Sequence, residues 1–542
     1  MKEKKKILLL LVSGALALGA SVTFSRYLGF IEWVAAIPLC IALYLLSKRE
    51  NLKLRHAYAY GLLYFECYYC VCFHWFTYLY PLDFTGLDNF SSILAIIVAW
   101  FGLSFLQALF GGFMFVVYII VTRTSFAKKM PVTKPFLIPV IYTFYEFTQT
   151  LGWWGVPWGR IPLGQSENLL SLQTSSLFGS YLITFVILLV NSLLAFAVIN
   201  VSEISKLKKY ALFALAVYAL NLGTGSIIYL KNEQKAKDAD TVCIGVVQGN
   251  YDSTDKWSAS ASEITYKHLE LAKSCVDGGA EIIVFAETAL PFNLGNSKSS
   301  ERLSDFAREN SVTLLVGALY DENGETYNAI YRYAPDGTVA ENMYFKQRLV
   351  PFGEFVPMRK LTDIIFPFLS ELSILKDDMT PGSDSDVYVT NGGIAVGSLI
   401  CFDSIYESLA IDSVRNGAEI FAISTNDSWF SDSAGIYMHN NQARLRSIEL
   451  GRYTVRSANT GVSSFITDTG RVLGEISPLE EGYLCYDVVP SSSRTIYSYI
   501  GNTFVYICGI LTFLPIIRDI VVAIYKRFCK TDTKIKEEDS RI

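Results

Sequence analysis

Long apolar stretches are the feature of this chain that most restricts its fold. They fill residues 7–230 and return near the C-terminus, and with them 51% of the chain is hydrophobic, only 18% is charged and the mean hydropathy is +0.32. A helix needs roughly 20 apolar residues to cross ~30 Å of hydrocarbon. The pattern therefore predicts eight membrane-spanning helices, at about 7–24, 29–47, 57–80, 92–121, 136–151, 171–200, 209–230 and 499–524.

Lysine and arginine cluster in every second connection between these stretches. The clusters are Lys2/Lys4/Lys5/Lys6, Lys48/Arg49/Lys53/Arg55, Arg123/Lys128/Lys129/Lys134, Lys206/Lys208/Lys209 and Lys526/Arg527/Lys530. Cytoplasmic loops of membrane proteins carry such an excess, so we expect both termini in the cytoplasm and the long polar segment outside it. Residues 1–24 also fit a secretory signal peptide, but cleavage would disturb the alternation, and we interpret them as an uncleaved span.

The soluble part of the chain excludes several classes of protein. The net charge is −5 and no long basic tract occurs there, so we expect no nucleic-acid partner. Three cysteines between residues 67 and 72 are interpreted as apolar helix residues, because only His74 lies near ligand spacing. Four further cysteines lie in the soluble part, too few for a disulfide framework: Cys243, Cys275, Cys401 and Cys485.

Strand-like and helix-like segments alternate from about Thr241 to Val489. Strands are predicted at 242–247, 281–286, 313–319, 394–400 and 418–424, and helices at 263–276, 300–310, 405–416 and 435–450. This order is typical of a mixed α/β sheet covered by helices. We therefore divide the chain into seven spans (1–238), an α/β catalytic domain (239–494), and a last span with a cytoplasmic tail (495–542).

Three ionisable residues occupy the ends of predicted strands or the start of a polar segment. Cys401 ends one apolar run, Glu287 ends another, and Lys346 begins the segment 346–354. A thiol needs a base or a positive neighbour to become a nucleophile. Glu287 is the candidate base, and Lys346 the candidate stabiliser of the thiolate and oxyanion. On spacing alone, an inert core thiol and two surface charges remain an open alternative.

The soluble part of the sequence lacks the motifs of several other catalytic and ligand-binding sites. The soluble part has no Gly-x-Ser-x-Gly, which disfavours a Ser-His-Asp triad, although His268 and His439 lie there. It also has no His-x-x-x-His, no Cys-x-x-Cys and no glycine-rich nucleotide loop. We therefore expect no metal and no organic cofactor.

The motifs around the three residues resemble the carbon–nitrogen hydrolase (nitrilase) superfamily, and more narrowly the bacterial apolipoprotein N-acyltransferases. The matching stretches are 287–291 (Glu-Thr-Ala-Leu-Pro), 346–357, 400–403, Gln248-Gly249-Asn250 followed by Trp257, 425–430, 442–452, 456–461, 153–158 and Asn191. The superfamily resemblance implies a Glu287–Lys346–Cys401 triad in a four-layer αββα sandwich. The narrower one implies acyl transfer from a phospholipid, through a Cys401 thioester, to a diacylglyceryl apolipoprotein. It also implies a multi-pass protein of the bacterial inner membrane, and we expect a monomer.

The chain departs from the family pattern beside the nucleophile. The family usually has Cys-Tyr-Glu where this chain has Cys401-Phe402-Asp403. Asp403 is expected either to support the site or only to cap the helix before Ile405. Glu354 is expected to orient Lys346, or to be a loop carboxylate. Trp257 is expected to close over the acyl chain, or to anchor a loop.

Two other functions stay open on the sequence. A membrane-tethered amidase or nitrilase would share the triad and use water as the acyl acceptor, but it would not explain the eight spans. An inactive lipid- or lipoprotein-binding homologue is suggested by Phe402 and Asp403, and the intact triad argues against it.

Overall fold

A bundle of apolar helices forms the N-terminal part of the protein. The computed structural model describes residues 2–82, 86–252, 258–295, 297–365 and 378–539. The longer helices are Lys2–Thr23, Ile37–Ser47, Leu54–Cys72, Asn89–Arg123, Lys134–Thr148, Ser180–Ile199, Ile204–Lys237 and the C-terminal Thr503–Asp539. Short helical segments join them: Ser25–Leu28, Gly29–Ile31, Glu32–Ala35, His74–Leu79, Ser125–Lys129, Pro131–Thr133, Ile161–Gln165, Leu169–Leu172 and Ser175–Phe178.

Six helical stretches of the described residues are long and apolar enough to cross a membrane, where the sequence predicts eight. The two predicted spans that fall short are also helices, Leu54–Cys72 and Lys134–Thr148. Lys134–Thr148 has only 15 residues, too few to span the hydrocarbon core by itself. Leu54–Cys72 has tyrosines that are buried inside the bundle, where the hydroxyl oxygens of Tyr69 and Tyr145 lie 3.0 Å apart.

Two predicted span boundaries shift in the structure. The third predicted span, 57–80, ends as an α-helix at Cys72 and continues as the 3-10 segment His74–Leu79. The sixth, predicted from residue 171, begins at Ser180, because Gly179 adopts φ +76° and ends the short helix before it. A positive φ is accessible to glycine and interrupts the helix.

The α/β domain consists of two sheets. The strands are β1 Val242–Gln248, β2 Ile282–Phe285, β3 Leu290–Asn293, β4 Thr313–Glu322, β5 Glu325–Tyr333, β6 Tyr344–Phe345, β7 Val387–Val389, β8 Ala395–Ile400, β9 Ile420–Thr425, β10 Tyr453–Ala458, β11 Ser463–Ile466, β12 Val472–Ile476 and β13 Gly482–Val488. The first sheet has the order β13-β1-β2-β4-β5-β6, with β3 beside β4, and the second has the order β12-β11-β10-β9-β8-β7.

The two sheets pack face to face between two helix layers. Val246 and Val284 of the first sheet belong to one buried cluster with Ile400 and Val455 of the second. Helices Ala261–Asp277 and Lys298–Asn310 cover the first sheet, and helices Glu407–Arg415 and Ala434–Leu450 cover the second. The expected αββα sandwich is therefore confirmed. Its second helix layer shares a core with the membrane bundle. Further short helical segments lie at Arg359–Ile365, Cys401–Ile405, Ser428–Phe430 and Ile496–Ile500.

Candidate active site

The fold brings the three predicted residues to neighbouring strand ends. Glu287 follows β2, Lys346 follows β6 and Cys401 follows β8. The Lys346 Nζ atom donates to Glu287 Oε1 at 2.8 Å. Both charges also act on the Cys401 thiol. The carboxylate, the ammonium and the thiol thus share one buried site.

A second carboxylate holds the lysine from the other side. Lys346 Nζ donates to Glu354 Oε1 at 2.9 Å, and Glu354 Oε2 accepts from the backbone N–H of Val350 at 2.8 Å. Burial by itself would lower the pKa of Lys346, but the charges of Glu287 and Glu354 outweigh it, and the pKa is raised well above its usual value. Lys346 is therefore a permanent positive charge. The contact fits the expectation that Glu354 orients Lys346.

Asn328 is a site residue that the sequence did not indicate. Its Nδ2 atom donates to Glu287 Oε1 at 2.8 Å and to Glu354 Oε1 at 3.0 Å. It reaches both because it lies on β5, which returns from β4 through a hairpin at Asn323-Gly324. Both turn residues have positive φ, 54° and 86°, as this hairpin type requires. The Asn323-Gly324 pair is the sequence signal that indicates this hairpin.

Cys401 lies in a constrained turn immediately after β8. Its φ is +48°, a region that residues with a side chain rarely adopt and that recurs at functional sites. The residue is partly buried. Burial raises the pKa of its thiol, Glu287 raises it further, and Lys346 opposes the rise. The thiol is therefore protonated at rest, and it needs a neighbouring base to react.

Asp403 ties the cysteine turn to the segment that carries Lys346. Its carboxylate accepts from the backbone N–H of Arg348 at 2.7 Å, from that of Ile400 at 3.2 Å, and from the Tyr344 hydroxyl at 2.8 Å. Burial raises its pKa to about 6, although Lys346 opposes the rise. The following helix begins at Glu407 rather than Ile405, with Tyr406 at its N-cap position. Residues 401–405 instead form a 3-10 turn.

We expect Asp403→Asn to slow both steps of the acyl transfer that the resemblance implies, acylation of Cys401 and transfer from it, about tenfold or more. An amide cannot accept from all the N–H groups that converge on the carboxylate, and an unpaired buried donor costs ~1–3 kcal/mol. Asp403→Glu should retain more activity, since it keeps the charge. Rates of acylation and transfer measured separately check this, with Asp412→Asn as a surface control on the next helix. Wild-type rates in Asp403→Asn would contradict the role.

A buried charge network lies beneath Cys401. His439 Nδ1 lies 2.8 Å from Asp427 Oδ1, and Arg456 Nη2 donates to Asp427 Oδ2 at 2.7 Å. The other imidazole nitrogen, Nε2, lies 3.2 Å from the carbonyl oxygen of Cys401. Burial by itself would raise the pKa of Asp427, but Arg456 and His439 outweigh it and lower the pKa. The network fixes His439 and, through it, the backbone of the cysteine turn.

The same network places Ser404, His439 and Asp427 in contact in the order of a Ser-His-Asp triad. Ser404 Oγ lies 3.3 Å from His439 Nε2, but the hydroxyl donates to the Cys401 carbonyl at 2.7 Å and the serine is fully buried. Ser404 and His439 therefore both contact the backbone of the cysteine turn. Ligand atoms of Cys401, Asp427 and His439 lie within 4.8 Å of one another. The Arg456 guanidinium already supplies positive charge to that cluster.

Loops of the helical bundle reach the same region. The Tyr406 hydroxyl donates to the Gly155 carbonyl at 3.3 Å, and the Trp158 ring lies 5.2 Å from the His439 ring. The Trp75 and Phe430 rings are 4.5 Å apart. The site therefore adjoins the bundle. Trp257, the third predicted supporting residue, lies outside the described residues.

Buried ion pairs join the two parts of the chain. Arg160 Nη1 of the bundle lies 3.4 Å from Glu407 Oε2, and the Tyr181 hydroxyl donates to Glu407 Oε1 at 2.7 Å. Nearby, Arg446 Nη2 lies 2.8 Å from Glu449 Oε2, and Glu449 Oε1 accepts from the backbone N–H of Ser180 at 2.7 Å. Buried charges without partners are costly. These pairs therefore fix the orientation of the α/β domain on the bundle.

Comparisons with known proteins agree with this arrangement. Residues 243–497 match the carbon-nitrogen hydrolase family model, and residues 13–193 match the model of the apolipoprotein N-acyltransferase N-terminal domain. The chain belongs to the apolipoprotein N-acyltransferase family. It is an acyltransferase with a nitrilase-like domain on a multi-pass helical bundle.

The alignments of this chain with its relatives cover most of this chain and most of each relative. The apolipoprotein N-acyltransferase of Geobacter metallireducens is 28% identical over 68% of this chain and 71% of its own length. The apolipoprotein N-acyltransferase of Nostoc sp. is 28% identical over 82% of this chain and 86% of its own length. That of Gloeobacter violaceus is 26% identical over 93% of this chain and 92% of its own length. A crystal structure of a carbon-nitrogen hydrolase from Helicobacter pylori is 16% identical, covers 46% of this chain and 89% of that chain, and has a TM-score of 0.36.

Proposed function

We propose that this protein transfers an acyl chain from a membrane phospholipid to the α-amine of the diacylglyceryl-cysteine of apolipoproteins. The observation that carries the proposal is the buried Glu287–Lys346–Glu354 cluster beside Cys401, on the side of the α/β domain that adjoins the helical bundle. Family membership over both parts of the chain supports the two lipid substrates. A site against the bilayer spares the acyl chain a transfer into water, which costs ~0.8 kcal/mol per CH₂.

In the first half-reaction, Glu287 accepts the Cys401 proton as the thiol attacks an ester carbonyl of the phospholipid. A sulfur–carbon bond forms, and Lys346 stabilises the negative charge on the carbonyl oxygen. When the ester carbon–oxygen bond breaks, Glu287 returns the proton to the glycerol oxygen. The products are the acyl-thioester on Cys401 and a lysophospholipid.

In the second half-reaction, the free α-amine of the lipoprotein attacks the thioester. A carbon–nitrogen bond forms and the carbon–sulfur bond breaks, so that the acyl group becomes an amide. Glu287 accepts the amine proton and returns a proton to the leaving thiolate. Two transfers of this kind, each with one product released, make a ping-pong cycle.

We further propose that residues 1–238 and 495–542 hold the protein in the bacterial inner membrane, and that residues 239–494 carry the chemistry outside the cytoplasm as a monomer. The alternation of Lys/Arg-rich connections supports this orientation. On this basis Glu309 is extracytoplasmic, while Glu50 lies in a cytoplasmic connection; both side chains are exposed.

We expect a membrane-impermeant maleimide to label Glu309→Cys in intact spheroplasts, and to label Glu50→Cys only after lysis, because the reagent cannot cross the bilayer. Gel-shift quantification against the unsubstituted chain corrects for native cysteines. The reverse labelling order would overturn the orientation, and with it the assignment of lipoproteins as substrates.

Trapping the acyl group tests the function itself. The purified chain in phospholipid nanodiscs with isotope-labelled acyl chains should gain one acyl mass on Cys401. Adding a diacylglyceryl-cysteine peptide should then move that mass to the peptide amine. A thioester lost to water at the same rate with and without peptide would indicate the membrane-tethered amidase. No thioester from any phospholipid would indicate an inactive homologue.

A further inference from the structure

Two thiols lie against each other on the outer side of the first sheet, away from the candidate active site. Cys275 lies near the end of helix Ala261–Asp277, and Cys485 lies on β13. Cys485 Sγ donates to the Cys275 carbonyl oxygen at 3.6 Å, and Cys275 Sγ donates to the Val246 carbonyl oxygen at 3.7 Å. The structure holds both as free thiols.

Two glycines make this close approach possible. Gly245 of β1 lies directly opposite Cys485 in the antiparallel pair. A Cβ atom on Gly245 would lie 2.7 Å from Cys275 Cβ and 2.8 Å from its Sγ, so Cys275 fills the space that a side chain would occupy there. A Cβ atom on Gly278 would lie 3.2 Å from Cys485 Sγ. The Cys275 and Cys485 side chains therefore occupy adjoining space between the helix and the sheet, as a disulfide with Cβ atoms about 4 Å apart requires.

The two thiols differ in exposure and acidity. Cys485 is partly exposed, and Cys275 is fully buried. The neighbouring Cys275 thiol lowers the pKa of Cys485, and the neighbouring Cys485 thiol, together with burial, raises the pKa of Cys275. Cys485 therefore has the properties of an attacking thiol, and Cys275 those of a buried resolving thiol.

We propose that Cys275 and Cys485 form an intramolecular disulfide by exchange with a protein or low-molecular-weight disulfide. The Cys485 thiolate attacks one sulfur of that carrier, forming a mixed disulfide and releasing one carrier thiol. The Cys275 thiolate then displaces the second carrier thiol. Two electrons and two protons pass to the carrier, and one sulfur–sulfur bond replaces another.

The disulfide would connect a helix end to an edge strand. β13 ends the first sheet beside β1, and the chain after it leads to the C-terminal helix. Edge strands are less constrained than central ones. A bond from Cys275 to Cys485 fixes this edge to the helix above it without touching the active site.

The test uses the full-length chain in nanodiscs, equilibrated with oxidised and reduced glutathione, acid-quenched, denatured and alkylated before digestion. We expect a Cys275–Cys485 linked peptide, 2 Da lighter than the two thiol peptides, that disappears on reduction. It should be absent in Cys485→Ser and retained in Cys243→Ser, a matched control because Cys243 is also partly exposed on the neighbouring strand.

Thermal unfolding supplies a second readout. The melting temperature of the oxidised wild type and of Cys243→Ser should fall on reduction, and that of Cys485→Ser should not change. Full alkylation of both thiols in the most oxidising buffer would overturn the proposal, as would a Cys243–Cys485 link in place of the expected one. The test is independent of acyltransferase activity.

Discussion

Lipoprotein N-acylation is expected to disappear when Cys401 is replaced by alanine. The thiol supplies the only atom to which the acyl chain is attached in the proposed cycle, so both half-reactions are lost, a fall of roughly 10³-fold or more. The fold should persist, because replacing a thiol by hydrogen removes little volume and alanine can adopt the same backbone turn. Mass spectra of lipoprotein N-termini in cells that depend on the variant measure the effect.

The matched control for this experiment is Cys243→Ala. Cys243 is a partly exposed thiol of the same domain that lies on β1, outside the active site, and its loss should leave N-acylation unchanged. Cys401→Ser is a useful companion, since a hydroxyl keeps the shape but is far less acidic than a thiol. Persistence of the N-acyl group in Cys401→Ala would rule out the thioester mechanism.

Thioester formation is expected to fall by ~10² or more in Lys346→Met, which keeps the side-chain length and removes the charge. The structure adds a second effect. Without the ammonium, the Glu287 and Glu354 carboxylates face each other across Asn328, and breaking a buried ion pair costs about 3–5 kcal/mol. One carboxyl should then take up a proton. The acylation rate measured as a function of pH reports both effects.

Glu354→Gln separates these two effects. It keeps the contact between Lys346 and Glu287 and removes only the second carboxylate, so we expect a smaller loss of acylation than in Lys346→Met. Thermal unfolding of both variants tests whether a loss reflects misfolding. Near-normal acylation of Cys401 in a folded Lys346→Met protein would show that another group stabilises the oxyanion.

The sequence alone determined the class of protein, because the signals concerned are local. Apolar length predicted the membrane helices, strand–helix alternation predicted a mixed α/β sheet covered by helices, and the resemblance of the motifs implied the sandwich. Span counting was less successful for two helices: Lys134–Thr148 is too short for a full span, and Leu54–Cys72 buries tyrosine side chains inside the bundle. Helix 405–416 was placed two residues early, because Cys401–Ile405 turns as a 3-10 segment.

Some residues of the candidate site could be identified from the sequence, and others only from the structure. Glu287, Lys346 and Cys401 could be named from the sequence, because the motifs around them resemble those of a known family. Asn328, His439 and Arg456 could not, because their partners lie on other strands and helices. Only the packing of the two sheets brings Asp403 to the backbone of the lysine segment. Long-range hydrogen bonds depend on which elements become neighbours, and that was decided by tertiary structure.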